Sequence, residues 1–209
     1  MKKTLLIILA IVVVVWFFVV GKYNTLVKYD ESVATAWSQV ENVYQRRLDL
    51  IPNLVSTVKG AAAQESWVLV AVVNARANAT KVTVDIKDAK SLAEFQKVQG
   101  EVSSSLSKLL AVVESYPTLQ SIQAFRDLMT QLEGTENRIT VERKNFNDTV
   151  NTLNIYIRRF PANIVAAIFG FEKAQQFEAK EGADVAPTVD FGTTPTALPV
   201  DTIPTEGTE

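Results

Sequence analysis

Residues 23–58, YNTLVKYDESVATAWSQVENVYQRRLDLIPNLVSTV, decide the fold. Leu26, Asp30, Val33, Trp37, Val40, Tyr44, Arg47, Ile51, Leu54 and Val58 follow one another at alternating steps of four and three. That spacing draws a single narrow stripe down a long helix, apolar except at Asp30 and Arg47. Pro52 falls inside the stretch, yet the stripe keeps its phase from Ile51 to Leu54 and Val58, so the proline predicts a kink and Gly60 the end. A stripe this regular is unstable against water, so the rest of the chain has to cover it. The stretch is predicted to be one helix of a bundle.

Working outward, Met1-Lys2-Lys3 forms a short basic start (1–3) to an apolar run from Leu5 to Val20. With Thr4 and Gly21, residues 4–21 make an uncharged helix of about 27 Å, long enough to cross the hydrocarbon of a bilayer. A cleaved signal peptide is the rival reading. The length of the run and the large residues Phe18, Val19 and Val20 at its end, where a cleavage site needs small ones, favour an uncleaved single-pass anchor. Trp16, Phe17 and Phe18 suit the headgroup boundary. Lys2 and Lys3 argue for a cytoplasmic N-terminus and an extracytoplasmic bundle, although Lys22 and Lys28 flank the other end.

Downstream, a second helix is predicted over about 64–78, with Trp67, Val70, Ala71 and Val73 on its apolar side. Val82, Val84 and Ile86 alternate with polar residues and, lacking a second strand to pair with, read as an extended connection. Asp88 or Ser91 can cap a third helix whose stripe is Leu92, Phe95, Val102, Leu106, Leu109 and Val113, interrupted by Gln99. Tyr116-Pro117 ends it. A last long helix is predicted over about 118–159, carrying Leu119, Ile122, Phe125, Leu132, Ile139, Phe146, Val150, Leu153 and Ile157, with Gly134 a candidate bend. After Phe160-Pro161 comes a short, very apolar segment, and from 181 to 209 a Pro- and Thr-rich acidic tail with too few large apolar residues to order it. The fold class is therefore all-α: a transmembrane helix (4–21), an elongated antiparallel four-helix-type bundle (22–180) and a disordered tail (181–209).

YNTLV, Asp30-Glu31, AWSQVENVYQRRLDLIPNLV, Lys59-Gly60, Ala75-Arg76, LEGTENRI from Leu132 to Ile139 and FPANIVAAIFGF from Phe160 to Phe171 together resemble the LemA family. The resemblance covers about 23–180 and implies a membrane-anchored helical bundle of unestablished biochemical activity. Some LemA-like proteins are encoded near membrane metalloproteases or other envelope proteins, which implies an accessory role to such a partner. This chain departs from the pattern at Ala61 and Gln64, where the family usually has an aromatic residue and a histidine. Any role tied to that histidine does not carry over.

Composition narrows the chemistry. The 209 residues are 47% apolar with a formal charge of −2 and a pI of about 5.4, and no basic stripe suited to nucleic acid is visible. There is no cysteine and no histidine, which removes disulfides, thiol nucleophiles, zinc–thiolate sites and the commonest general base. Asp30, Glu31, Glu41, Asp49, Glu65 and Glu136 are plentiful acids, but a bundle di-metal site also needs Glu-x-x-His motifs. Nothing in the spacing specifies a glycosidase-like carboxylate pair in a cleft. No catalytic residue, metal or cofactor is assigned.

The polar stripe positions Asp30, Arg47, Gln99, Glu136 and Arg143 are read as a buried network that fixes register. A small-ligand or enzymatic site in that seam is the alternative. Trp37, Tyr44 and Trp67 are read as core rather than as a ligand cage, and the sequons at Asn78 and Asn147 as chance. Phe160, Ile164, Ile168, Phe169 and Phe171 are expected to cap the bundle. Otherwise they fill a partner's groove or dock on the bilayer, and the lack of a basic residue in the segment before Lys173 favours the partner. The expected partners are the bilayer, through residues 4–21, and a membrane or envelope protein, with self-association of the long helices a further expectation.

Overall fold

The apolar segment and the stripe are one helix. The computed structural model describes residues 2–60 and 66–178, and α1 runs from Lys2 to Lys59, about 87 Å at the usual rise per residue. Four more helices and one helical turn follow: α2 (Ser66–Ala79), α3 (Ala89–Val113), the single turn α4 (Pro117–Gln120), α5 (Gln123–Arg158) and α6 (Ala162–Phe169). No strand occurs among the described residues. The acidic tail and residues 61–65 lie outside them.

Core membership sets the directions. The start of α5 (Phe125, Leu132) shares a core with the end of α1 (Leu48, Ile51, Leu54, Val58). The end of α5 (Phe146, Val150, Leu153) shares one with Val33, Trp37 and Val40 of α1. The two long helices are therefore antiparallel. α3 runs with α1, placing Leu92 and Phe95 beside Trp37, and Leu106 to Val113 beside the far end of α1. α2 returns along α1, so the order is up, down, up, down.

Fourteen residues of α2 cover only the far half of the bundle. In the near half its place is taken by two extended segments. Val82, Val84 and Ile86 pack on the near core, and Ala174 and Phe177 enter it. The expected extended connection does find a neighbour, through one backbone bond from Gln175 N–H to the Ile86 carbonyl (2.9 Å). Asn147 and Asn154 of α5 hold the 174–177 backbone. Asn154 Nδ2 donates to the Ala174 carbonyl (2.9 Å) and its Oδ1 accepts from Ala174 N–H (3.1 Å). Asn147 does the same for Phe177 (3.1 and 2.8 Å). Seven helical residues rise about 10.5 Å and three extended residues span about 10 Å, so two asparagines two turns apart match two residues three apart.

Pro52 has a similarly specific partner. It has no N–H, so the carbonyl one turn back, on Leu48, loses its helical donor. Arg76 of α2 supplies the missing bond, donating Nε–H to the Leu48 carbonyl at 2.9 Å. α1 continues through the proline to Lys59, and α2 is tied to it at that point.

Three expectations need correction. α2 buries Val68, Leu69, Val72, Ala75 and Ala79, whereas Trp67 (61% exposed), Val70 and Val73 face outward. The segment SWVLVAVV is apolar on every side, so its spacing could not choose a face. Trp67 is accordingly not core. The last long helix begins at Gln123 rather than 118, because Ile122 is extended (φ −73°, ψ 121°) and exposed, and Arg126 Nη1 ties down the freed Gln120 and Ser121 carbonyls. α3 starts as expected, with the Asp88 carboxylate accepting from Lys90 and Ser91 N–H, and α5 runs unbroken through Gly134.

Candidate functional site

Arg47 is the largest fully buried side chain among the described residues, 1% exposed, at the boundary between the far aliphatic core and the near aromatic core. Its guanidinium gathers three helices. Nη2 donates to the Gln99 side-chain oxygen (2.6 Å) and main-chain carbonyl (3.2 Å) on α3. Nη1 donates to Ser103 Oγ (2.8 Å), one turn further along α3, and to Glu136 Oε1 (2.7 Å) on α5. The guanidinium carbon also lies 5.1 Å from the Tyr44 ring centre. A planar fork makes these four contacts to two helices at once, one more than a lysine's three N–H donors allow. Glu136 keeps 44% of its side chain in solvent, so its charge is only partly desolvated.

Of the five seam residues read from the sequence, the structure brings Arg47, Gln99 and Glu136 into one cluster. Ser103 belongs with them and was missed, because a serine one turn from Gln99 carries no signal of its own. Arg143 sits two turns along α5 from Glu136, with its guanidinium carbon 4.6 Å from the Phe177 ring centre. It also hydrogen-bonds the Tyr44 hydroxyl. Asp30 lies apart, about 25 Å along α1 from Arg47. It is half-buried and reaches Lys87 Nζ at 3.9 Å, so it is not part of the network. Tyr44 joins the groups electrostatically: burial raises its pKa above 10.0, while Arg143 and Arg47 oppose that rise.

Below this layer Trp37 is ringed by Phe95 and Phe146 at 5.4 Å and Phe177 at 5.9 Å, the packed aromatic core expected of Trp37 and Tyr44. Phe177 fills that ring because the Asn147–Asn154 clamp delivers it there. Asn147 spends its amide on that clamp.

Apolar surface is also exposed at each end of the bundle. At the far end, a depression of about 350 Å³ is lined by Val55, Lys59, Ser66, Leu69, Val70 and Val73. At the other end, α6 buries Ala162, Val165 and Ala166, and Val165 and Ala166 pack with Leu26, Val19, Tyr156, Ile157 and Phe171. Gly170 ends α6 in the left-handed conformation (φ 74°), which turns the chain so that Phe171 N–H bonds the Ala166 carbonyl at 3.0 Å. Of the expected docking residues, Phe160, Ile164, Ile168 and Phe169 remain exposed and Phe171 is half-buried against α1.

The family model described as "LemA family" matches residues 36–191, from the lower seam through the clamp segment and beyond. The chain belongs to the LemA family. Relatives in the same range include magnetosome protein MamQ 2 of Paramagnetospirillum magneticum, 30% identical over 182 residues, covering 78% of this chain and 67% of that protein. Magnetosome protein MamQ of Magnetospirillum gryphiswaldense is 27% identical with the same coverage. Protein LemA of Metamycoplasma hominis is 22% identical over 166 residues, covering 79% and 73%. With its one long apolar N-terminal helix, this LemA-family chain is a membrane-associated helical protein. The seam and clamp both lie within the matched LemA region.

Proposed function

We propose that the chain is a single-pass membrane scaffold or interaction protein, without catalytic activity, that holds a helical surface at a fixed place on the bilayer. The observation that carries this reading is the continuity of α1, whose exposed apolar segment passes without a joint into the buried stripe of the bundle. In this reading residues 4–21 cross the bilayer, the N-terminus is cytoplasmic and the bundle extracytoplasmic. The far-end depression and the outward Trp67, Val70 and Val73 are the surface offered to a membrane or envelope protein, including a membrane-protease system. The seam supports the same reading, since four of the donor contacts Arg47 can make are taken up by Gln99, Ser103 and Glu136. The Arg47 Nε–H is left buried without a partner, the one donor of that guanidinium the seam does not engage.

A photo-crosslinking side chain at Val70 or Val73 in the full chain, in its native membrane, tests the function. One discrete protein adduct from both positions, absent when the group stands at Glu133, is expected; no adduct, or the same products from all three, refutes it. Orientation is tested separately with Thr205→Cys in this cysteine-free protein. Labelling of intact cells by a membrane-impermeant maleimide is expected, and protection until lysis would reverse the orientation.

A further inference from the structure

α6 reads ANIVAAIF, with Asn163 its only polar side chain. A helix on a protein surface ordinarily turns a polar face to water, and one that is apolar all round is buried. α6 meets neither condition. Ala162, Val165 and Ala166 pack inward, while Ile164 (50% exposed), Ile168 (70%) and the preceding Phe160 (80%) project from the opposite side, with Phe169 also exposed.

The height of α6 along α1 says what covers that face. Its inner side packs with Val19, inside the uncharged run, and with Leu26. Phe169 and Phe171 lie 4.8 and 5.7 Å from the Tyr23 ring. If the uncharged helix ends at Gly21, Val19 is about 3 Å inside the hydrocarbon edge and Leu26 about 7.5 Å outside it. The polar headgroup layer is itself about 5–8 Å thick on each side of a bilayer. α6 therefore stands beside the emerging anchor at the depth where acyl chains give way to headgroups. Charge fits as well. The segment has no basic residue of its own before Lys173, but the fold sets exposed Arg158 and Arg159 immediately before it and Lys22 over the Tyr156 ring at 5.9 Å. Those cations are placed for anionic headgroups, while the apolar face is placed for the acyl boundary.

We propose that α6 is a second membrane contact, lying in the bilayer interface with Phe160, Ile164 and Ile168 inserted among the upper acyl chains. This rests on the reading that residues 4–21 span the membrane. The test uses the full chain carrying Ile164→Cys or Ile168→Cys, each labelled with an environment-sensitive fluorophore. A label at Thr130→Cys, about 39 Å along α5 from Tyr156, is the control. Each protein is reconstituted into phosphatidylcholine–phosphatidylglycerol vesicles with or without a lipid spin-labelled near the top of its acyl chain. The labels at 164 and 168 are expected to lose most of their emission to the spin label, and the label at 130 to keep its own. Equal, unquenched emission at all three positions, with the protein still floating with vesicles after a urea wash, overturns the proposal and leaves the anchor standing. Blue-shifted but unquenched emission at 164 and 168 means that protein covers the face, a second copy included, and also overturns it. Loss of flotation in urea overturns the anchor itself and α6 with it.

Discussion

Arg76 is expected to be needed only because residue 52 is proline. With Pro52 in place, the Leu48 carbonyl has no backbone donor and Arg76 Nε is its partner at 2.9 Å. Arg76→Met keeps much of the stem's packing and removes a charge-assisted bond to a half-buried carbonyl, a loss of about 1.5–3 kcal/mol. Pro52→Ala restores the helical N–H. It recovers part of the roughly 3 kcal/mol that proline costs inside a helix, less about 0.5–1 kcal/mol of added unfolded-state entropy. In that background the carbonyl is already bonded, and Arg76→Met should cost less than about 1 kcal/mol. The four proteins form a double-mutant cycle with an expected coupling of at least about 1 kcal/mol. The assay is urea unfolding of the detergent-solubilised full chain followed by Trp37 emission, with Trp16 and Trp67 replaced by phenylalanine throughout. Effects that add to within about 0.5 kcal/mol would show that Arg76 does not act through the carbonyl that Pro52 frees.

Arg47→Met should destabilise by about 2–4 kcal/mol in the same assay, chiefly by stranding the buried Gln99 oxygen, and adding Gln99→Leu should recover much of it; an unchanged or raised midpoint for Arg47→Met alone would refute the register role. Because the Tyr44 pKa is raised in the folded state, the stability tied to its protonated form is complete below pH 10.0 and is lost as pH climbs through the folded value. The alkaline fall in unfolding free energy should therefore be shallower in Tyr44→Phe than in the parent, and identical slopes would contradict the burial of that hydroxyl. With urea unfolding of the otherwise unaltered chain followed by far-UV circular dichroism, Trp67→Ala should change stability by less than about 0.5 kcal/mol while Trp37→Ala costs about 3–5 kcal/mol, and comparable losses would mean that α2 turns its other face inward. A Cβ at Gly134 meets nothing within 4 Å, so Gly134→Ala should stabilise by about 0.5–1 kcal/mol; a lowered urea midpoint would show that the helix needs glycine there.

The parts legible in the sequence are those with a one-sided pattern. The α1 stripe and the α3 stripe with Gln99 in it each announce a face, and both pack as their periodicity predicts. α2 does not, because a helix apolar all round leaves its orientation to its neighbours. Arg47 was visible as a charge on an apolar stripe, and Gln99 and Glu136 as its candidates. Asp30, equally placed on the stripe, joined another partner because no chain position specifies which helix stands opposite. The clamp was the least legible. Asn147 and Asn154 sit on α5 like any surface amides, and only the return of residues 174–177 along the helix gives them a function. Pro52 and Arg76 are 24 positions apart, and nothing in either segment names the other.

With residues 4–21 in the bilayer as proposed, the uninterrupted α1 would make the bundle a lever. A transmembrane helix relieves a mismatch with the bilayer by tilting, commonly by about 20°. α1 extends about 56 Å beyond Lys22 with no hinge loop, so a tilt of about 20° carries its far end sideways by about 19 Å. A change of membrane thickness too small to disturb the anchor would thus arrive, magnified, at Val55, Val70 and Val73.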